Sequence, residues 1–145
     1  MVSFLADKEA EMPETLPLAK QMNDFVPVIL IVEDDEDNRA MLKILLEIWD
    51  YRVIEAVNGV EAVSIAEKIR PNLILMDVRL PHLDGFSATQ RIRESSEIGS
   101  VPVLILSGCA EASYRKAASV AGGNEYLVKP LDFEELRNAI GKYIH

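Results

Sequence analysis

The sequence has little cysteine, no long apolar run and no cluster of basic residues. Because Cys109 is the only cysteine, no internal disulfide can form, which fits a reducing cytoplasm. No apolar stretch approaches the ~20 residues that a membrane-spanning helix needs. The N-terminus becomes charged at Asp7 without a basic lead, unlike a secretory signal. We therefore expect a cytoplasmic protein that neither enters nor crosses a membrane.

The net charge of −9 lies mainly in two places. Residues 1–26 carry five acids against two bases, and residues 33–37 are five consecutive acids. This excess of acids argues against direct binding of nucleic acid, which needs clustered Lys and Arg. Pro13 and Pro17 interrupt any helix near the N-terminus. We therefore expect a flexible N-terminal extension over residues 1–26, followed by one domain over residues 27–145.

Short β-branched and aliphatic runs alternate with helix-spaced segments from residue 28 onward. The runs predict five strands, at Val28–Val32, Tyr51–Ala56, Leu73–Met76, Val101–Leu106 and Glu125–Val128. In the second helical segment, Val60, Val63 and Ile69 mark the apolar stripe, and Asp132 is placed to cap the last helix. This alternation predicts an α/β fold, a flavodoxin-like doubly wound five-stranded parallel sheet of order 2-1-3-4-5 with five helices.

Polar side chains stand where four of these strands end. Glu33 and Asp34 follow the first strand, Asp77 the third, Ser107 the fourth and Lys129 the fifth. Sites in such sheets lie at the carboxyl ends of the strands. If the first and third strands are neighbours, three carboxylates converge there and repel one another. A divalent cation with oxygen ligands and the ammonium of Lys129 could both relieve that repulsion.

Each of these residues also has a structural explanation. Carboxylates that follow a strand can cap the next helix, and we assign Asp35 and its two acidic neighbours to that role. Asp77 alone could serve a cap or a loop, and His82 and Cys109 are interpreted as a solvated loop residue and a space-filling residue. The joint placement of acids, hydroxyl and lysine on four strand ends nevertheless favours a functional site.

Four fragments of the sequence, in the order ILIVEDDEDNR, LILMDVRLPHLDGF, PVLILSG and EYLVKP, resemble the receiver domain of two-component response regulators. The resemblance covers about residues 28–144 and is closest to stand-alone, chemotaxis-regulator-like receivers. It implies that Asp77 is the phosphoacceptor, supplied by a sensor histidine kinase or a histidine phosphotransfer protein. It also implies a Mg²⁺ site made by Asp34, Asp77 and the backbone carbonyl of Arg79, with Glu33 acting through a metal-bound water.

The same resemblance assigns roles to the ends of the last two strands. Lys129 would hold a phosphoryl oxygen, and its bond to Pro130 would be cis. Ser107 and Tyr126 would be the switch residues, and a downstream protein would bind the face formed by residues 111–143. The sequence departs from the family pattern at Glu33, which is one methylene longer than Asp. Arg79 and Cys109 occupy positions that influence the lifetime of the acyl phosphate.

Two other functions stay open. A pseudo-receiver would bind partners without taking phosphate, although the intact set of site residues argues against it. A phosphatase of the haloacid-dehalogenase type also uses an aspartate nucleophile and Mg²⁺, but Asp77-Val78-Arg79 lacks the second acid of its Asp-x-Asp motif. We therefore expect a switch that catalyses only its own phosphorylation and dephosphorylation. No output segment follows the last helix, so the chain is a stand-alone receiver or part of a longer protein.

Overall fold

The computed structural model describes residues 25–144, so the expected extension lies outside the described residues except for its last two positions. The described part contains five strands and five helices. In chain order these are β1 Val28–Val32, α1 Glu36–Ile48, β2 Arg52–Ala56, α2 Gly59–Ile69, β3 Leu73–Asp77, α3 Gly85–Glu94, β4 Val103–Ser107, α4 Ala112–Ala121, β5 Glu125–Val128 and α5 Phe133–Gly141. All strand pairs are parallel and the order is β2-β1-β3-β4-β5, which confirms the predicted fold.

The central strands are buried on both faces of the sheet. Consecutive residues of β1, such as Leu30 and Ile31, belong to two separate apolar clusters on opposite faces of the sheet. One cluster includes α2 and α3, and the other includes α1 and α5. Burial on both faces explains why β1, β3 and β4 are continuously apolar rather than alternating.

The expected apolar stripe of α2 is wrong at two of its three positions. Val60 and Ile69 are 52% and 47% exposed, whereas Ala62 and Ala66 are fully buried against the sheet. Small residues let the helix approach its neighbours closely. At Gly59, the first residue of α2, a Cβ atom would overlap the main-chain oxygen of Leu83. A prediction from hydrophobic spacing gives most weight to large apolar side chains, so it misses a helix–sheet contact that is made by small ones.

Side-chain caps begin four of the five helices at the edge of the sheet where the strands end. Asp35 accepts a hydrogen bond from the amide of Asn38 at 2.8 Å, which confirms its interpretation as a cap. Asn58, Asp84 and Asp132 cap α2, α3 and α5 in the same way. Among the residues described, no helix combines the length and hydrophobicity needed to span a bilayer.

Candidate functional site

Strand register brings the predicted site residues to one edge of the sheet. Val32 pairs with Met76, so Glu33 and Asp77 follow on neighbouring strands. Asp77 pairs with Leu106, and Ser107 pairs with Val128. The predicted site residues Glu33, Asp77, Ser107 and Lys129 therefore lie at the same edge of the sheet, where β1, β3, β4 and β5 end.

Three carboxylates converge at this edge. One carboxylate oxygen from each of Glu33, Asp34 and Asp77 lies within 4.8 Å of the other two. Glu33 and Asp77 are only 3% and 5% exposed, whereas Asp34 faces solvent. The Lys129 ammonium lies 2.7 Å from Asp77 Oδ1 and 3.2 Å from Glu33 Oε1. Among residues 25–144, the ammonium of Lys129 is therefore the one positive group in salt-bridge contact with these three carboxylates.

Burial dominates the electrostatics of these groups. Loss of hydration raises the pKa of Asp77, and the Lys129 contact only partly opposes this rise. Burial likewise raises the pKa of Glu33, with the Asp77 charge adding to the effect. Burial alone would lower the pKa of Lys129, but its bonds to Asp77 and Glu33 outweigh that effect and raise it. The native state thus holds negative charge that it neutralises incompletely.

The oxygen ligands at this edge suit a hard divalent cation. Mg²⁺ in proteins prefers carboxylate and carbonyl oxygens together with water. Glu33 has both carboxylate oxygens engaged, since Oε1 contacts Lys129 and Oε2 accepts from the amide of Asp35 at 3.1 Å. Asp34 is exposed, and Arg79 lines clefts shared with Asp34 and with Asp77. Asp34, Asp77 and the Arg79 carbonyl could hold such an ion, and their residue types fit it.

The loop that follows β1 contains an interaction that sequence reasoning missed. Arg39 Nη1 donates a hydrogen bond to the main-chain carbonyl of Glu33 at 3.0 Å, and Arg39 Nε lies 2.9 Å from Glu55 Oε1. Its only sequence signal is its place at the end of the EDDEDNR fragment. A single arginine therefore ties α1 to the ends of β1 and β2.

A second linkage joins Ser107 to Tyr126 through the backbone of Cys109. The buried Ser107 hydroxyl accepts a hydrogen bond from the Cys109 amide at 3.1 Å, and the Tyr126 hydroxyl donates to the Cys109 carbonyl. The half-buried Tyr126 ring also lies 5.1 Å from the Arg115 guanidinium carbon. Ser107 shares a cleft of about 360 Å³ with Asp77 and Lys129. The main-chain amide and carbonyl of Cys109 thus connect Ser107 to Tyr126, and the connection does not use the Cys109 side chain.

Loops around the cleft complete the edge. The Lys129–Pro130 bond is cis, as expected from the resemblance. His82 is exposed, at a φ of 69°, in agreement with a solvated loop residue. A Cβ atom at Gly85 would overlap the main-chain oxygen of Asp77, so only glycine lets this loop pack against the strand end.

Comparison with known proteins gives consistent results. A family model described as "Response regulator receiver domain" matches residues 29–141. PilH of Pseudomonas aeruginosa is 33% identical over 112 residues, which cover 77% of this chain and 93% of PilH. The DNA-binding dual master transcriptional regulator RpaA of Synechocystis is 35% identical over 111 residues, 77% of this chain but 46% of RpaA. The chain thus spans about half the length of this relative.

A solved structure agrees with the fold. The receiver domain of the sensor histidine kinase PA1611 from Pseudomonas aeruginosa PAO1 superposes with a TM-score of 0.77 and 38% sequence identity. The match covers 83% of this chain and 98% of that domain. That structure has a magnesium ion coordinated in its active-site cleft.

Proposed function

The chain belongs to the response regulator receiver domain family, and we propose that Asp77 is the residue that accepts the phosphoryl group. One observation carries this assignment: the buried Asp77 carboxylate lies 2.7 Å from Lys129 and within 4.8 Å of two further carboxylates. The neighbouring carboxylates help to bind a Mg²⁺ ion, and Lys129 binds the incoming phosphoryl oxygens. The protein acts as a switch in the cytoplasm, with one domain that begins near residue 27.

The reaction follows from the positions of these groups. An Asp77 carboxylate oxygen attacks the phosphorus of a phosphohistidine on a sensor histidine kinase or phosphotransfer protein. The P–N bond breaks, the imidazole leaves with the electron pair, and an acyl phosphate forms on Asp77. Lys129 already contacts Asp77, so its ammonium is in place to neutralise a phosphoryl oxygen. Its raised pKa keeps it charged at neutral pH.

Mg²⁺ is the cofactor that this set of oxygens fits. When bound, it supplies positive charge to phosphoryl oxygens that a carboxylate would otherwise repel. Asp34, Asp77 and the Arg79 carbonyl would hold it directly. Glu33 would act through water, because its own oxygens already accept bonds from Lys129 and Asp35.

Phosphorylation reaches a partner surface through Ser107. Its hydroxyl accepts from Cys109 but keeps a proton to donate, and a phosphoryl group on Asp77 offers it a charged acceptor. Movement of Ser107 towards that group releases the Cys109 amide, whose carbonyl holds Tyr126. The face formed by residues 111–143 then rearranges and changes its affinity for a downstream protein.

Phosphorylation by a small donor tests the acceptor. Acetyl phosphate with Mg²⁺ should add one acid-stable, base-labile phosphoryl group to the wild-type protein and none to Asp77→Asn. Asp37→Asn is the matched control, since Asp37 belongs to the acidic run 33–37 but not to the carboxylate cluster. Peptide mapping that places the phosphate on His82 or Ser107 would overturn the assignment.

The same samples separate the two alternative functions. A pseudo-receiver would take up no phosphate at any Mg²⁺ concentration. A phosphatase would hydrolyse p-nitrophenyl phosphate over many turnovers. We expect neither, and we expect catalysis limited to the protein's own phosphorylation and dephosphorylation.

A further inference from the structure

Arg39 connects three elements beside the acidic cluster. Its side chain is 17% exposed and its guanidinium contacts two acceptors at once. Nη1 donates to the main-chain carbonyl of Glu33 at 3.0 Å, and Nε donates to Glu55 of β2 at 2.9 Å. The planar guanidinium is suited to such paired contacts, whereas an ammonium acts as a point charge.

The Glu33 carbonyl belongs to the peptide group that joins Glu33 to Asp34. The amide of Glu33 donates to the Ala56 carbonyl at 3.1 Å, the contact that follows the last β1–β2 pair. With Arg39 on the carbonyl, both main-chain groups of Glu33 are fixed. Asp34 comes next and is exposed, and its carboxylate has no hydrogen-bond donor within residues 25–144. Its place in the cluster therefore depends on the backbone.

We propose that Arg39 is a positioning residue, which fixes the Glu33–Asp34 peptide so that the Asp34 carboxylate stays beside Asp77 and strengthens Mg²⁺ binding. This inference rests on the proposed function, since it concerns the same ion. The observed contacts of the Arg39 guanidinium are with the Glu33 carbonyl and with Glu55, so it would act on the ion only through the backbone. Glu55 in turn holds the guanidinium in the orientation that reaches the Glu33 carbonyl.

The sign of the effect distinguishes positioning from simple electrostatics. A guanidinium near a cation site repels the cation, so removing its charge should by itself tighten Mg²⁺ binding. Loss of positioning should weaken binding instead, because Asp34 is then free to leave the cluster. The two explanations therefore predict opposite changes in the Mg²⁺ dissociation constant.

Lys43 offers a matched control. It lies one helical turn after Arg39, its ammonium is 3.7 Å from the same Glu55, and it makes no contact with the Glu33 carbonyl. We would measure Mg²⁺ dissociation constants from amide chemical shifts for wild type, Arg39→Gln and Lys43→Gln, at a temperature where all three are folded. Arg39→Gln should weaken binding about tenfold, at the lower end of the range found for residues that orient metal ligands. Lys43→Gln should bind as wild type or slightly more tightly.

The rate of phosphorylation by acetyl phosphate gives a second readout. In Arg39→Gln the Mg²⁺ concentration for half-maximal rate should rise by the same factor, while the rate at saturating Mg²⁺ stays within about twofold of wild type. A purely structural role would lower the melting temperature and leave the dissociation constant unchanged. Equal Mg²⁺ affinities in Arg39→Gln and Lys43→Gln would overturn the inference.

A conservative variant covers the case in which Arg39→Gln does not fold. Arg39→Lys keeps the charge but cannot serve Glu33 and Glu55 together, so Mg²⁺ binding should weaken at least twofold. Affinity equal to wild type would count against positioning. If wild type takes phosphate on Asp77 yet these variants bind Mg²⁺ normally, only this inference fails. If wild type takes no phosphate on Asp77, the proposed function itself fails, whatever the Mg²⁺ affinities of the variants are.

Discussion

Replacing Asp77 by Asn should make the protein more stable in the absence of Mg²⁺. The carboxylate is 5% exposed, and burial raises its pKa even though Lys129 is in contact. The amide has the same shape and can still accept a hydrogen bond from Lys129, which also keeps Glu33 as a partner. The substitution therefore removes a poorly compensated buried charge without leaving a cavity.

The magnitude follows from the distances. At an effective dielectric constant of ~20, attraction across the 2.7 Å to Lys129 is ~6 kcal/mol. A Glu33 carboxylate oxygen lies within 4.8 Å, so its repulsion is at least ~3.5 kcal/mol on the same scale, and the exposed Asp34 adds less because water screens it. Together these repulsions offset most of the attraction to Lys129, so much of the cost of dehydrating the carboxylate, several kcal/mol, remains. Because the amide bonds more weakly to Lys129, we expect a net gain of about 2 kcal/mol, or about 5–10 °C in melting temperature.

Thermal and urea unfolding in metal-free buffer provide the assay. Glu67→Gln, a surface acid on α2, is the control and should stay within about 0.5 kcal/mol of wild type. Because the folded-state pKa of Asp77 is raised above its ordinary value, the wild-type penalty is full above the folded-state pKa, decreases as the pH falls from there towards the ordinary value, and is absent below it. The advantage of Asp77→Asn should therefore shrink as the pH falls from neutral through that pKa. An Asp77→Asn protein less stable than wild type at neutral pH would refute the electrostatic argument.

Four further results are expected. Mg²⁺ should raise the melting temperature of wild type, because it binds the folded cluster. In Asp34→Ala the rise should be much smaller and phosphorylation should be lost. An equal rise in both proteins would remove Asp34 from the site. Ser107→Ala should accept phosphate, but the resulting structural change should hardly reach β5. The amide shifts that beryllofluoride induces in β5 and its flanking helices should therefore be smaller than in wild type. Gly85→Ala should destabilise the protein by about 3 kcal/mol or more in urea unfolding, since its Cβ overlaps the Asp77 main-chain oxygen, whereas Gly141→Ala, where a Cβ meets nothing, should not. Deletion of residues 1–24 should leave unfolding and phosphorylation unchanged, as the prolines of that segment and the 69% exposure of Phe25 suggest; a large loss of stability would show that the segment docks on the domain.

The sheet and its site were predictable because both depend on patterns that survive in one dimension. Strands buried on both faces, such as β1 and β3, are continuously apolar, and parallel order then brings their ends together. The convergence of Glu33, Asp77 and Lys129 needs only that order and the positions where the strands end. The α2 stripe failed for the opposite reason, since its contact is made by Ala62 and Ala66, whose small size carries little hydrophobic signal.

The connections between the site and the rest of the fold were beyond sequence reasoning because they run through main-chain atoms. Ser107 and Tyr126 meet at the amide and carbonyl of Cys109, and any residue at position 109 other than proline would present the same two groups. Arg39 likewise recognises a carbonyl, so nothing about the Glu33 side chain indicates the contact. Side-chain identity locates where charge and hydroxyl groups gather, and main-chain geometry decides how firmly they are held. For this protein, variants of Arg39 and of the Ser107–Tyr126 linkage therefore test transmission and affinity, whereas variants of Asp77 test the chemistry itself.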